Sequence, residues 1–82
     1  MTENDIRRVI IDGLAQLAPE SHPERLRGDQ PIRASLDIDS FDFLTFLVGL
    51  HKSLGVEIPE ADYGKLETID GMVRYLLPRA RP

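Results

Sequence analysis

The sequence predicts an all-α protein, a small four-helix bundle with three main helices and one short helix. Three segments carry apolar residues at the i, i+3, i+4 spacing of a helix with one buried stripe. No segment shows the sustained apolar-polar alternation of a strand, and no internal repeat is present. At 82 residues, 41% hydrophobic and 29% charged, the chain is predicted to form one domain over residues 1–82.

The first main helix is predicted over residues 4–18. Its apolar stripe consists of Ile6, Val9, Ile10, Leu14 and Leu17. Asn4 or Thr2 is the candidate N-cap, since their side chains accept hydrogen bonds from the first turn. Pro19 ends the helix because proline has no N–H to continue it.

A long surface connection is predicted from Pro19 to Asp39. It is rich in charge and contains the breakers Pro23, Gly28 and Pro31. Its few large apolar residues are expected to hold it against the bundle, and they are Leu26, Ile32 and Leu36. Connections of this length are often functional or mobile, and this one leads directly to Ser40.

The second main helix is predicted over residues 40–54, SFDFLTFLVGLHKSL, with Gly55 as the C′ residue that ends it. At about 100° per residue its core arc is formed by five apolar side chains. They are Phe43, Phe46, Leu47, Leu50 and Leu54. Asp42, Gly49 and Ser53 lie outside this arc.

The last part of the chain predicts one short and one longer helix. Pro59 and Gly64 bracket at most one or two helical turns. Thr68 is then expected to cap a final helix that Pro78 stops. Its stripe is Ile69, Met72, Val73 and Leu76. Arg79 and Arg81 beyond it are expected to be solvated charges.

Composition disfavours several classes of function. Without cysteine the chain has no disulfide, no thiolate nucleophile and no Cys-type zinc site. Fourteen acidic and ten basic residues give a net charge of −4, which disfavours nucleic acid as a partner. No segment approaches the roughly 20 apolar residues of a membrane span, and no secretory signal is evident, so we expect a cytoplasmic protein. His22 and His51 are far apart in sequence, so no metal site is predicted.

Ser40 lies between two acidic residues, Asp39 and Asp42, at the start of the most apolar helix. One interpretation is structural: Asp and Ser are preferred N-caps, and an acidic first turn complements the helix dipole. The chain would then be a small helical protein-interaction domain in which Ser40 only caps a helix. A second interpretation, an enzyme with Ser40 as nucleophile, lacks a general base, since neither histidine adjoins Ser40 in sequence.

A stripe of four residues flanks the core arc of this helix. It consists of Phe41, Thr45, Val48 and Lys52. Phe41 and Val48 are therefore expected to be at least partly exposed beside Ser40. Exposed apolar side chains next to a hydroxyl suggest a docking surface.

From about residue 6 to residue 77 the sequence resembles the acyl carrier protein family, also called the phosphopantetheine-binding domain. Asp39-Ser40-Phe41-Asp42 stands in place of the family's Asp-Ser-Leu-Asp, and GVEIP at 55–59 and TIDGMVRYL at 68–76 follow at the family's spacing. The four-residue motif alone is weak. Its combination with the two later elements is specific.

The resemblance implies that Ser40 carries 4′-phosphopantetheine, transferred from coenzyme A by a magnesium-dependent phosphopantetheinyl transferase, with Asp39 and Phe41 beside it. The chain would be a non-catalytic, monomeric carrier of acyl or aminoacyl thioesters for fatty acid, polyketide or related biosynthesis. Its other partners would be an acyl-loading ligase or transferase and ketosynthase-type or other acyl-processing enzymes. The candidate partner-binding residues are Phe41, Asp42, Thr45, Val48, Lys52 and Asp62.

The sequence departs from the family at two places. Thr45, His51 and Lys52 occupy positions where carriers of fatty acid synthesis usually have acidic residues. We therefore expect a specialised carrier that serves a dedicated ligase or synthase. Ser35 and Asp37 replace an Asp and a Gly before the Asp-Ser pair; Asp tolerates a left-handed backbone, so the turn can be kept.

Overall fold

Four α-helices and three 3₁₀ segments make up most of the computed structural model, which describes residues 1–80. The α-helices are α1 (Glu3–Leu17), α2 (Ile32–Leu36), α3 (Ser40–Leu54) and α4 (Ile69–Leu76). The 3₁₀ segments are Pro19–Ser21, Pro23–Arg25 and Glu60–Leu66. Residues 1–80 contain no strand, and the all-α prediction is confirmed. None of the described helices is long and apolar enough to cross a bilayer.

The caps of the three long helices are among those their sequences predict, although α1 spans Glu3–Leu17 and not the predicted residues 4–18. Thr2 caps α1 in a capping box, in which its hydroxyl accepts from the Asp5 N–H at 3.2 Å and the Asp5 carboxylate accepts from the Thr2 N–H at 2.9 Å. Thr68 caps α4 by accepting from the Gly71 N–H at 2.9 Å. Gly55 ends α3 in the left-handed conformation, with φ of 66°.

The core lies between α3, α1 and α4. All five residues of the predicted α3 arc are buried, as are Ile6, Ile10 and Leu14 of α1 and the predicted stripe of α4. α1 contacts α3 at Gly13, where an added Cβ would lie 2.8 Å from the Phe46 ring. A larger residue at position 13 would therefore force the Phe46 ring or the helices to shift.

The connection from Pro19 to Asp39 is more ordered than its sequence suggests. It contains two 3₁₀ turns and the short helix α2, neither of which was predicted. Ile32 and Leu36 are buried and Leu26 packs partly against the core, as expected. The Ile32 N–H donates to the Glu67 carbonyl at 2.8 Å, so α2 begins on a tertiary hydrogen bond and has no side-chain cap.

The segment after α3 also differs in detail. The predicted one or two turns near Pro59 are present as a 3₁₀ segment, which continues past Gly64 to Leu66. The short α-helix of the fold is therefore α2, on the other side of α3 in sequence. Arg79 is packed over the Tyr75 ring at 3.9 Å from its centroid, whereas Arg81 lies outside the described residues.

A contact among three elements fixes the long connection. The Asp70 N–H donates to the Gly28 carbonyl at 3.0 Å, and Arg7 of α1 donates to the Asp70 carboxylate at 2.7 Å. Gly28 lies so close to that carboxylate that any Cβ would overlap it. The connection that leads to Ser40 is therefore joined to both α1 and α4.

Candidate functional site

Ser40 is the first residue of α3 and is exposed to solvent. Its neighbour Asp39 is the N-cap, with extended backbone and a carboxylate that accepts from the Asp42 N–H at 2.8 Å. Within residues 1–80 the Ser40 hydroxyl makes no hydrogen bond of its own. The interpretation of Ser40 as the helix cap is therefore wrong, because Asp39 performs that role.

The turn between α2 and α3 places Ser40. Asp37 adopts the left-handed conformation with φ of 54°, as predicted for the position where a glycine was expected. The Ile38 N–H then donates to the Arg33 carbonyl at 3.0 Å. Ile38 and Phe43, which flank Ser40, are 7% and 8% exposed, so the serine stands between two side chains anchored in the core.

A groove of about 730 Å³ opens beside Ser40, and we call it the Ser40 groove. Its walls are α2, the first half of α3 and the 3₁₀ segment Glu60–Leu66. Besides Ser40 they include Arg33, Phe41, Leu44, Leu47, Tyr63 and Gly64. Most of the lining is apolar, so a hydroxyl at one end adjoins a space suited to apolar groups.

Three apolar side chains of α3 are exposed and form what we call the apolar patch. Phe41 is 74% exposed, Leu44 42% and Val48 46%. Their i, i+3, i+7 spacing places them on one face of the helix. Exposure of Phe41 and Val48 was predicted. Leu44 was missed, although its position one turn after Ser40 is the signal that could have identified it.

The polar residues predicted to bind partners lie on both sides of this patch. Asp42 is exposed in the first turn, and Lys52 is exposed in the last turn, about 18 Å from Ser40 at 1.5 Å per residue. The Thr45 hydroxyl donates to the Phe41 carbonyl at 3.2 Å. His51 is exposed, and its Nδ1 donates to the Val56 carbonyl at 2.8 Å.

Asp62, also predicted to bind partners, is engaged within the molecule. Its carboxylate accepts from the Tyr75 hydroxyl at 2.7 Å and lies 3.3 Å from the Lys65 ammonium. The Tyr75 hydrogen bond lowers the pKa of Asp62, and the same bond raises the pKa of the Tyr75 phenol. This contact holds one wall of the Ser40 groove against α4. A partner role for Asp62 stays a prediction.

The chemistry available at this site is limited. A serine nucleophile needs a base within hydrogen-bond reach, and no side chain of residues 1–80 bonds to the Ser40 hydroxyl. Within the same residues no three metal-ligating side chains cluster. Among the described residues the site thus offers an exposed, unbonded hydroxyl at a helix start, beside an apolar groove.

Comparison with known proteins agrees with this geometry. Residues 8–76 match the family model described as "Phosphopantetheine attachment site". The acyl carrier protein of Lactobacillus johnsonii is 32% identical over 76 residues, which cover 93% of this chain and 94% of that protein. The acyl carrier protein of Renibacterium salmoninarum is 33% identical over 70 residues, covering 82% and 86%. That of Wolinella succinogenes is 26% identical over 73 residues, covering 89% and 90%.

Proposed function

The chain belongs to the acyl carrier protein family, and from this premise we propose that Ser40 is the residue to which its 4′-phosphopantetheine is attached. Members of this family are non-catalytic carriers that a phosphopantetheinyl transferase modifies. The single observation that supports Ser40 is its environment: an exposed, unbonded hydroxyl at the first position of α3, with its side chain lining the Ser40 groove.

The attachment requires little of this chain beyond access. The Ser40 oxygen forms a P–O bond as the pyrophosphate linkage of coenzyme A breaks, and adenosine 3′,5′-bisphosphate leaves. The serine proton passes to a base of the transferase, because no side chain here bonds to the hydroxyl. Asp39 holds the first turn of α3 in place. When attached, the prosthetic group supplies a thiol that holds acyl groups as thioesters.

The surface around Ser40 supports a partner of particular charge. The apolar patch provides a contact area, with Asp39 and Asp42 at its Ser40 end and Lys52 at the other. A partner that fits this surface carries basic groups where it contacts Asp39 and Asp42, and an acidic group about 18 Å away, opposite Lys52. Such a partner differs from one whose basic groups contact an acidic helix along its whole length. The chain is accordingly a specialised carrier for a dedicated ligase or synthase of acyl, polyketide or aminoacyl metabolism.

The first test is intact-mass spectrometry after incubation with coenzyme A, Mg²⁺ and a broad-specificity transferase. We expect one added phosphopantetheine on the wild type and none on Ser40→Ala. Ser53→Ala, which changes another exposed serine of α3, is the matched control and should be modified like the wild type. Modification of Ser40→Ala, or no modification with several transferases, would contradict the assignment of Ser40.

The second test addresses the partner. A ketosynthase of general fatty acid synthesis is given the loaded wild type and the loaded Lys52→Glu variant. We expect the ketosynthase to turn over the loaded variant faster than the loaded wild type, because the substitution removes the cation from the last turn of α3. Equal use of the two proteins would remove the support for a specialised carrier.

A further inference from the structure

Two grooves lie on opposite sides of the start of α3. The Ser40 groove includes Leu44, which follows Ser40 by one turn. The second groove, of about 440 Å³, includes Asp42 and lies between the end of α1 and the turn after α2. At about 100° per residue, Asp42 and Leu44 point some 160° apart around the helix axis. A group attached to Ser40 starts beside the Ser40 groove, and the acidic groove lies on the other side of the start of α3.

The two grooves differ in charge. The second groove is lined by Glu20, Asp37 and Asp42 and by no Lys, Arg or His, and we call it the acidic groove. The Ser40 groove is lined by one cation, Arg33, and one anion, Glu67. The formal charge is thus −3 on one side of Ser40 and zero on the other. An anion at Ser40 is repelled from the acidic groove, and Arg33 is the one Lys, Arg or His side chain that lines either of these two grooves.

Arg33 is free and close enough to act on such an anion. No carboxylate within residues 1–80 lies within 4.0 Å of its guanidinium, whereas Arg7, Arg27 and Lys65 are all paired. The Arg33 carbonyl lies 3.0 Å from the Ile38 nitrogen. Ser40 follows Ile38 by two residues, a span of at most about 7 Å. The Arg33 and Ser40 side chains both line the Ser40 groove, so a phosphodiester on Ser40 and the long Arg33 side chain share one cavity.

From this asymmetry we infer that Arg33 binds the phosphodiester that joins Ser40 to its prosthetic group, and that it thereby directs the attached arm into the Ser40 groove and away from the acidic groove. The inference rests on the proposed function, since it requires the phosphodiester at Ser40. The guanidinium is well suited to this role, because it presents two parallel donors to the two free oxygens of a phosphodiester. Arg33 is a positioning residue for the arm and is not needed for its attachment.

The test uses coenzyme A whose thiol carries a nitroxide spin label, transferred to the ¹⁵N-labelled protein. Paramagnetic broadening of backbone amides is compared between the Ser40 groove, at Ala34, Leu44 and Gly64, and the acidic groove, at Ser21 and Ser35. We expect broadening in the wild type to favour the Ser40 groove. Arg33→Glu should reduce that preference about two- to fivefold, the range expected for one partly exposed ion pair, and added salt should reduce it in the wild type.

Matched variants make the outcome specific. Arg33→Lys keeps the charge and should retain most of the preference, and Arg33→Gln should reduce it by less than Arg33→Glu does. Arg74→Glu, an exposed cation of α4 that lines neither groove, makes the same charge change and should leave the preference unchanged. In addition, the Arg33 side-chain N–H signal should shift when the unlabelled prosthetic group is attached to Ser40.

The outcomes separate this inference from the proposed function. If the label attaches to Ser40 and the broadening pattern is the same in Arg33→Glu and the wild type, the role of Arg33 is overturned while the carrier function stands. If no transferase attaches the label, the proposed function is overturned and this inference with it. Because Arg33 is exposed, all of these variants should fold, which the amide spectra of the unlabelled proteins verify.

Discussion

Asp39 and Ser40 are adjacent, yet two substitutions should separate the capping role observed for Asp39 from the attachment role proposed for Ser40. Asp39→Ala removes the bond from its carboxylate to the Asp42 N–H and should cost about 1 kcal/mol of unfolding free energy. For a domain of this size that loss lowers Tm by about 4–8 °C. Ser40→Ala removes a hydroxyl that makes no hydrogen bond within residues 1–80, so stability should stay within about 0.5 kcal/mol of the wild type. It should nevertheless abolish phosphopantetheine attachment.

The assay is thermal and urea unfolding followed by far-ultraviolet circular dichroism, because the chain has no tryptophan to report by fluorescence. Asp39→Asn is the control, since asparagine caps about as well as aspartate and should recover most of the stability. The reasoning is refuted if Ser40→Ala loses as much stability as Asp39→Ala, which would make Ser40 the cap. It is also refuted if Asp39→Ala loses none.

Three further predictions concern the supporting structure. Gly28→Ala would place a methyl group against the Asp70 carboxylate and should lower the unfolding free energy by about 1–3 kcal/mol. Gly64→Ala, with open space around it, is the control and should leave the unfolding free energy unchanged. Equal unfolding midpoints for the two variants would contradict this prediction. The pKa of Tyr75 is raised in the folded state, so its hydrogen bond stabilises the fold below pH ~10, and this contribution is lost as pH rises through the folded pKa. Tyr75→Phe should therefore lose less unfolding free energy than the wild type at alkaline pH. Because the pKa of Asp62 is lowered by the same bond, the variant should also lose less unfolding free energy on acidification below pH ~4. Phe41→Ala should leave stability within about 0.5 kcal/mol, since the ring is 74% exposed, but should lower the transferase kcat/KM; a large fall in Tm would show that the ring belongs to the core.

The long helices could be predicted from sequence because their signals are local. Periodicity placed the five core residues of α3, and Thr2, Thr68 and Gly55 marked ends that the structure confirms. Exposure of Phe41 and Val48 followed from the same helical geometry. These features depend on residues within one or two turns of one another.

The short helix α2 could not be predicted because its support comes from elsewhere in the chain. Its five residues offer only Ile32 and Leu36 as an apolar pair, and it has no side-chain cap. At its start the Ile32 N–H donates to the carbonyl of Glu67, which lies 35 residues later in the sequence. Arg33 was overlooked for the same reason, since a residue assigned to a loop has no predicted face. Similarly, the bond between Asp62 and Tyr75 joins two elements whose packing the sequence does not specify.

The apolar patch on α3 has a consequence for how long complexes last. A partner that buried the remaining exposed area of its three side chains, which are 74%, 42% and 46% exposed, would gain roughly 2–5 kcal/mol. Association itself costs an estimated 4–15 kcal/mol, so little net affinity remains from this surface. The helix is already held rigid by its five buried residues, so docking requires no folding step. We therefore expect complexes held by this patch alone to be short-lived.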